Sequence, residues 1–550
     1  MKFRLPNQQA RSGLDELQNH VIDEFLAGRI DRRGLLRHGS AYGISAALLG
    51  GMIGEAPGRA LAAGGEGATI RVSITAPSTA INPVVAGDTG SLCMLQQAGE
   101  FLLFDNPKTL RLEPMLATSW KSSRDGRVWT FTLRKGVKFH SGGTMTADDV
   151  VYSLARLADP KNGSNALSTF KGVLKPEGVV KVDDHTVAFH LEAPNGNFAY
   201  LVSSDNYNAI ILPKGSVAAD YEKTFDGTGP FRLDAYTPGR GASFVRNPAW
   251  WGGKVMPART EFGFYSNQQS QVLALQGGQV DVIQQIVVQG AQGLLHDPSV
   301  KILNIRSSNH REVHMRCDKP PFTDKRVRQA VALTLNRPGI VHALFGGLSD
   351  LGNDSPFAPI YPSTNTSVPQ RHRQIARAKH LMAEAGLAHG AEVTLTTEQV
   401  QEIPDYAVLI QNAAAEIGLK INLKIETSAA YYGKATFGNS DWLDSTMGIT
   451  DYGHRGVPNV FLTAPLESGG SWNAAHFNNK TYDKLVADYI ATVDLTRQRE
   501  YSGRIERLLL DETPIIFAYF YNYLAATKKT VSGVVVTGMS QVFLQHATVA

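Results

Sequence analysis

An alternating strand pattern, a glycine turn and a capped helix follow one another early in this 550-residue chain, and that succession recurs to its end. Val128-Trp129-Thr130-Phe131-Thr132-Leu133 alternates apolar with polar residues, as a half-buried strand does. After a Gly-rich turn, Thr146-Ala147-Asp148-Asp149 has the form of a capping box. It opens a helix with Val150, Val151, Leu154 and Leu157 on one face. Further strands are expected at Thr69–Ile74, Val393–Leu395, Ile421–Ile425 and Ile515–Phe517. Asp324 is placed to cap a helix carrying Val327, Val331 and Leu335. A helix from Ile375 to Ala385 ends at Gly386, and two more begin near Thr481 and near 497. Strands and helices intermixed in this way define an α/β chain, and no fixed-period repeat points to a solenoid.

At this length a single hydrophobic core is too small an organising unit, so two or more lobes are expected. Hydrophobic residues make up 43% and charged residues 19%, and the net charge is only +4. That balance excludes intrinsic disorder and supplies no bulk positive field for nucleic acid. Two cysteines, Cys93 and Cys317, allow one optional disulfide and no cysteine scaffold.

Residues 1–62 read as an export signal. Asp31-Arg32-Arg33-Gly34-Leu35-Leu36-Arg37 runs into the mildly apolar stretch 41–53, and Ala60-Leu61-Ala62 supplies a small-residue cleavage pattern. The paired arginines resemble a twin-arginine signal, with general secretion as the other route. The apolar stretch is shorter than the roughly 20 residues a spanning helix requires. Cleavage near Ala62 would release a non-membrane-spanning periplasmic protein.

No G-x-x-x-x-G-K-[ST] loop, G-x-G-x-x-G fingerprint or G-x-S-x-G elbow occurs, so nucleotide binding and α/β-hydrolase chemistry lack their usual signatures. No catalytic residue and no cofactor is assigned. One cluster has metal-ligand chemistry: in His310-Arg311-Glu312-Val313-His314 a strand would set His310, Glu312 and His314 on a single face. A solvated strand face is the plainer reading of the same residues.

Several stretches together resemble the family-5 extracellular solute-binding proteins of ABC transporters, which include oligopeptide-, dipeptide- and nickel-binding proteins. They are Leu112-Glu113-Pro114-Met115-Leu116-Ala117-Thr118-Ser119-Trp120, the run Trp129 to His140 with Thr146 to Val150, Gly227-Thr228-Gly229-Pro230-Phe231, Arg246-Asn247-Pro248-Ala249-Trp250-Trp251, Pro321 to Ala330, and Ala378 to Gly386. The resemblance implies a type II periplasmic binding protein fold of the large cluster: two α/β lobes closing about a hinge, with an extra subdomain inserted in lobe 1. On that scheme 63–106 opens lobe 1, 107–215 is the inserted subdomain and 216–310 continues lobe 1. Lobe 2 is 311–511, and 512–550 returns to lobe 1. The chain would cross between lobes near 308–312 and 508–514.

The same resemblance implies a small-molecule or peptide ligand, an inner-membrane ABC permease as partner, and a monomer. A peptide sealed between lobes carries its ammonium out of water, which costs several kcal/mol unless an anion meets it. In peptide-binding members an Asp in a lobe-2 loop does this, and Thr450-Asp451-Tyr452 with Val457-Pro458-Asn459 resembles that loop, making Asp451 the first candidate anchor. The loop departs from the family pattern in Gly453-His454-Arg455-Gly456, where His454 and Arg455 would favour an anionic group. Arg316 is a further candidate carboxylate partner. Trp442, Tyr452 and Trp472 are candidates to stack on ligand, with core filling as the alternative. Gly87 and Thr89, after the first strand, would meet ligand main chain. The competing readings are a receptor for a metal complex, such as nickel with a chelator, held at His310, Glu312 and His314, and a secreted hydrolase.

Overall fold

Two large sheets carry the architecture. In the computed structural model, which describes residues 67–550, the chain from Thr69 to Ala550 forms one folded unit; the expected export signal, with its paired arginines, lies outside the described residues. A seven-stranded sheet has the spatial order Val300–Ile305, Tyr523–Lys528, Val282–Ile286, Thr69–Thr75, Arg259–Tyr265, Gly241–Arg246, Phe231–Thr237. A six-stranded sheet has the order Ser349–Leu351, Ile515–Tyr521, His310–Met315, Met447–Tyr452, Ala391–Glu398, Leu419–Glu426. These sheets are the centres of lobes 1 and 2.

Local sequence accounts for the elements. In Thr69–Thr75 the alternating Ile70, Val72 and Ile74 are fully buried. Thr146 caps the helix Ala147–Ala158 reciprocally with Asp149, and Val150, Leu154 and Leu157 fill the core beneath it. A four-stranded sheet, Ala117–Ser122, Val128–Leu133, Thr186–His190 and Val179–Asp183, lies within the segment assigned to the inserted subdomain. In lobe 2, Asp324 caps Lys325–Thr334. That helix, with Ile375–Glu384 and Ile403–Ala415, covers one face of the six-stranded sheet. Helices Lys480–Ala491 and Leu495–Glu512 pack on the other.

Several family-like motif residues meet at one buried carboxylate. Glu100 accepts from the Thr228 hydroxyl at 2.7 Å, Trp250 Nε1 at 3.0 Å and Trp251 Nε1 at 2.7 Å. Burial pushes its pKa up to about 7 against those three donors. Stretches separated by more than a hundred residues are thereby tied together inside lobe 1.

The chain passes from lobe 1 to lobe 2 between Ile305 and His310. Its return falls at Asn522, between Ile515–Tyr521 in one sheet and Tyr523–Lys528 in the other. This corrects the expected crossing at 508–514. Thr513 ends the long helix, but Ile515–Tyr521 still pairs with His310–Met315, so the helix stop is not a lobe boundary. Cys93 and Cys317 are both free. Cys93 Sγ lies 3.1 Å from the Ser540 carbonyl within lobe 1, and Cys317 follows the lobe-2 strand His310–Met315.

Candidate functional site

A cavity of about 490 Å³ opens between the lobes, a size suited to a small organic ligand. Lobe 1 contributes Gly87, Thr89, the segment 285–289 and Met539; lobe 2 contributes Gln401, Glu402, Asp451 and the loop Gly453 to Arg455. Of the candidate residues, Gly87, Thr89, Asp451, His454 and Arg455 therefore share one wall system. Asp88 caps the helix Thr89–Ala98, which places Thr89 at the rim of the cavity.

Asp451 is the penultimate residue of the strand Met447–Tyr452 and stands directly across the antiparallel ladder from Arg311. Arg311 was not singled out in the sequence, yet it organises this wall. Its side chain has no exposure, and its Nε donates to Glu402 Oε1 at 2.8 Å. The terminal nitrogens reach Glu402 Oε2 at 3.2 Å, Gln401 Oε1 at 2.8 Å and the Tyr521 hydroxyl at 2.9 Å, and one also donates to Asp451 Oδ1. Tyr521 donates to the same Asp451 oxygen at 3.1 Å, and the guanidinium lies 4.3 Å from the centre of the Tyr521 ring. Two carboxylates against one guanidinium leave one negative charge in excess. Asp451, 32% exposed, is the member of the group that reaches the cavity.

The loop after Asp451 is fixed by the crossing segment. Ser308 N–H donates to His454 Nδ1 at 3.0 Å, and its hydroxyl donates to the Arg455 carbonyl at 2.8 Å. Burial pushes the His454 pKa down to about 3, so the ring is neutral. With Nδ1 accepting a backbone N–H, the ring proton lies on Nε2. Arg455 lines the cavity and folds back on the His454 carbonyl at 2.7 Å.

The other candidates lie elsewhere. Tyr452 follows Asp451 and, by the period of the strand, points to the opposite face. There it stacks on Trp472 at a ring separation of 5.9 Å, in a core cluster with Trp442, Tyr431 and Phe461. These aromatics are core filler. Arg316 is held bidentately by Asp318 at 2.7 and 2.8 Å, away from the cavity lining.

His310, Glu312 and His314 do share a strand face, but that face is covered, which corrects the expectation of a solvated one. The strand His310–Met315 is buried at every position. His310 is ringed by Tyr452, Phe461, Phe517 and Phe520, and burial pushes both histidines down to about 3 and Glu312 up to about 8. None of the three lines the cavity, so they do not form a cleft metal site.

Two α/β lobes, each with its own central sheet, joined by two crossings and sharing one polar cavity, define a solute receptor of the periplasmic binding protein kind. The model of the bacterial extracellular solute-binding proteins, family 5 (middle), matches residues 111–461, and the chain belongs to that family. It is 29% identical to heme-binding protein A of Haemophilus influenzae over 433 residues, which cover 74% of this chain and 78% of that protein. It is 25% identical to the dipeptide-binding protein of Escherichia coli over 471 residues, covering 80% of this chain and 87% of that one. The solved structure of HbpA2 from Haemophilus parasuis matches with a TM-score of 0.77 at 24% identity, over 88% of this chain and 100% of that chain.

Proposed function

We propose that this protein is the periplasmic receptor of an ABC importer, capturing a short peptide or related zwitterion and delivering it to an inner-membrane permease. The observation that carries the reading is the excess negative charge presented to the cavity at Asp451. A ligand ammonium placed there neutralises the Arg311, Glu402 and Asp451 group as it leaves water. Side-chain amides of Gln285, Gln289, Asn309, Gln401 and Asn522 line the same cavity. Such groups bond a peptide main chain without selecting side chains. Arg455 is the cationic group available to the carboxylate end of the ligand. The relatives named for dipeptide binding support this class. Export by the leader 1–62, a monomeric state and the absence of turnover belong to the same reading. No helix among the described residues is long and apolar enough to cross a membrane.

Native mass spectrometry of the protein isolated from a periplasm, wild type beside Asp451→Ala, tests it. The expected result is a set of short peptides on the wild type and their loss from the variant. A metal complex or sugar that stays on the Asp451→Ala protein would overturn the proposal.

A further inference from the structure

A second cavity, of about 530 Å³, opens at the outer edge of lobe 1 and shares no lining residue with the cleft. It lies between the turn at His140 and Ser141, the segment 212–226 and the strand Phe231–Thr237, the outermost strand of the seven-stranded sheet. Its floor is fixed by the protein alone. His140 lies with Nδ1 3.2 Å from the Phe225 carbonyl and Nε2 3.0 Å from the Gly229 carbonyl. The buried Phe225 ring packs on Tyr221 and Phe244 at ring separations of 5.0 and 5.2 Å. Leu212, Tyr221 and Leu233 give an apolar wall, and Val217, 61% exposed, stands at the mouth.

The polar groups of this lining are unevenly met. The acids are answered: Asp220 pairs with Lys223, and Asp226 accepts the Ser141 N–H at 3.0 Å. The donors are not. Arg232 Nε and the Ser216 hydroxyl are buried without a hydrogen-bond partner, and among the described residues no carboxylate pairs with the Arg232 guanidinium. Arg156, beside Ser216, also lacks a carboxylate. Its Nη1 donates to the Tyr152 hydroxyl at 3.3 Å and the Ser216 carbonyl at 3.4 Å, its Nε is buried without a partner, and burial pulls its pKa down. A buried donor without an acceptor is costly, and a guanidinium without an anion more so; what completes this lining is an acceptor that carries negative charge.

We propose that this cavity is a second binding site, for a small monocarboxylate with an apolar tail, its carboxylate on Arg232 and its tail against Leu212, Leu233 and Val217. A carboxylate offers two acceptor oxygens to the fork of one guanidinium. A dianion such as a phosphate ester would bring a second charge against Asp220 and Asp226 in the same lining. The tail removes the apolar wall, and the exposed Val217 with it, from water. The cleft selects against the same molecule, because the group at Asp451 already carries an excess negative charge. The two sites therefore take different ligands.

Calorimetric titration of the full chain with sodium octanoate tests this, beside octanamide, which has the same tail and no charge. Octanoate is expected to bind at a single site, and octanamide about tenfold more weakly, because only the carboxylate pairs with Arg232. Arg232→Met should weaken octanoate by about tenfold. Val217 is exposed, so Val217→Glu leaves the fold intact; it sets a like charge at the mouth and should weaken octanoate by a similar factor. Asp451→Ala should leave octanoate affinity as it is. The proposal is overturned if octanoate does not bind, if octanamide binds as tightly, or if Arg232→Met or Val217→Glu keeps the wild-type affinity. Loss of octanoate from Asp451→Ala would overturn it too, by placing the molecule in the cleft. Octanoate has no ammonium, so each of these results stands whether or not the cleft takes peptides.

Discussion

At the residue scale the molecule turns on Arg311. A guanidinium with no exposure is tolerable only when every donor is met, because removing one partner of a buried pair leaves an uncompensated charge. Arg311→Met strands Glu402, which is 2% exposed, beside Asp451; the expected loss in unfolding free energy is about 3–5 kcal/mol. Asp451→Asn should cost only about 1 kcal/mol, since that carboxylate is 32% exposed and Glu402 still holds the guanidinium. Urea titration of both variants checks the ordering, and equal losses would mean that the network is not organised around Arg311. The arginine was legible in principle. Period 2 sets it on the face opposite His310 and His314, beside Val313 and Met315, and an Arg on an otherwise apolar strand face needs a partner. Its partner Asp451 is 140 residues away in sequence and adjacent only through strand pairing, which no local pattern states.

At the element scale the strand His310–Met315 shows what alternation reveals and what it hides. Alternation placed His310, Glu312 and His314 together, but it is silent on whether a face meets water or a second layer of helices. The capping box at Thr146, the glycine stop at Gly386 and the long amphipathic helices were readable because each is a local free-energy choice. The return crossing was not readable, because strand Ile515–Tyr521 runs into Tyr523–Lys528 with only Asn522 between. The buried face also carries a pH dependence. Glu312 is held near 8 when folded, above the ordinary carboxylate value of 4.5, so the folded state keeps a proton that the unfolded chain gives up. Stability from this group is full below about pH 4.5 and falls as pH rises toward 8, by at most about 1.4 kcal/mol per unit. Glu312→Gln removes that slope. The difference in stability between variant and wild type should move in favour of the variant from pH 5 to pH 8, and a difference constant across that range would mean Glu312 is ionised in the fold.

For the whole molecule, the two crossings decide what kind of motion is available. Each is short: 306–309 on the way out and Asn522 on the way back, side by side where Asn522 Nδ2 donates to Asn304 Oδ1 at 2.7 Å. Two adjacent connections of this length permit rotation of one lobe on the other and resist sliding. Because the cavity takes residues from both lobes, a ligand completes its contacts only when they approach, and the free energy of those contacts is what favours the closed state. Trialanine at one hundred times its Kd would add about 2.7 kcal/mol to stability by mass action alone. The same addition should reduce the radius of gyration measured by small-angle scattering in the wild type, with no change in Asp451→Ala. A wild-type protein that gains thermal stability from trialanine at an unchanged radius of gyration would bind without closing. The crossings would then be rigid links, and the ligand would be read by the permease from an open receptor.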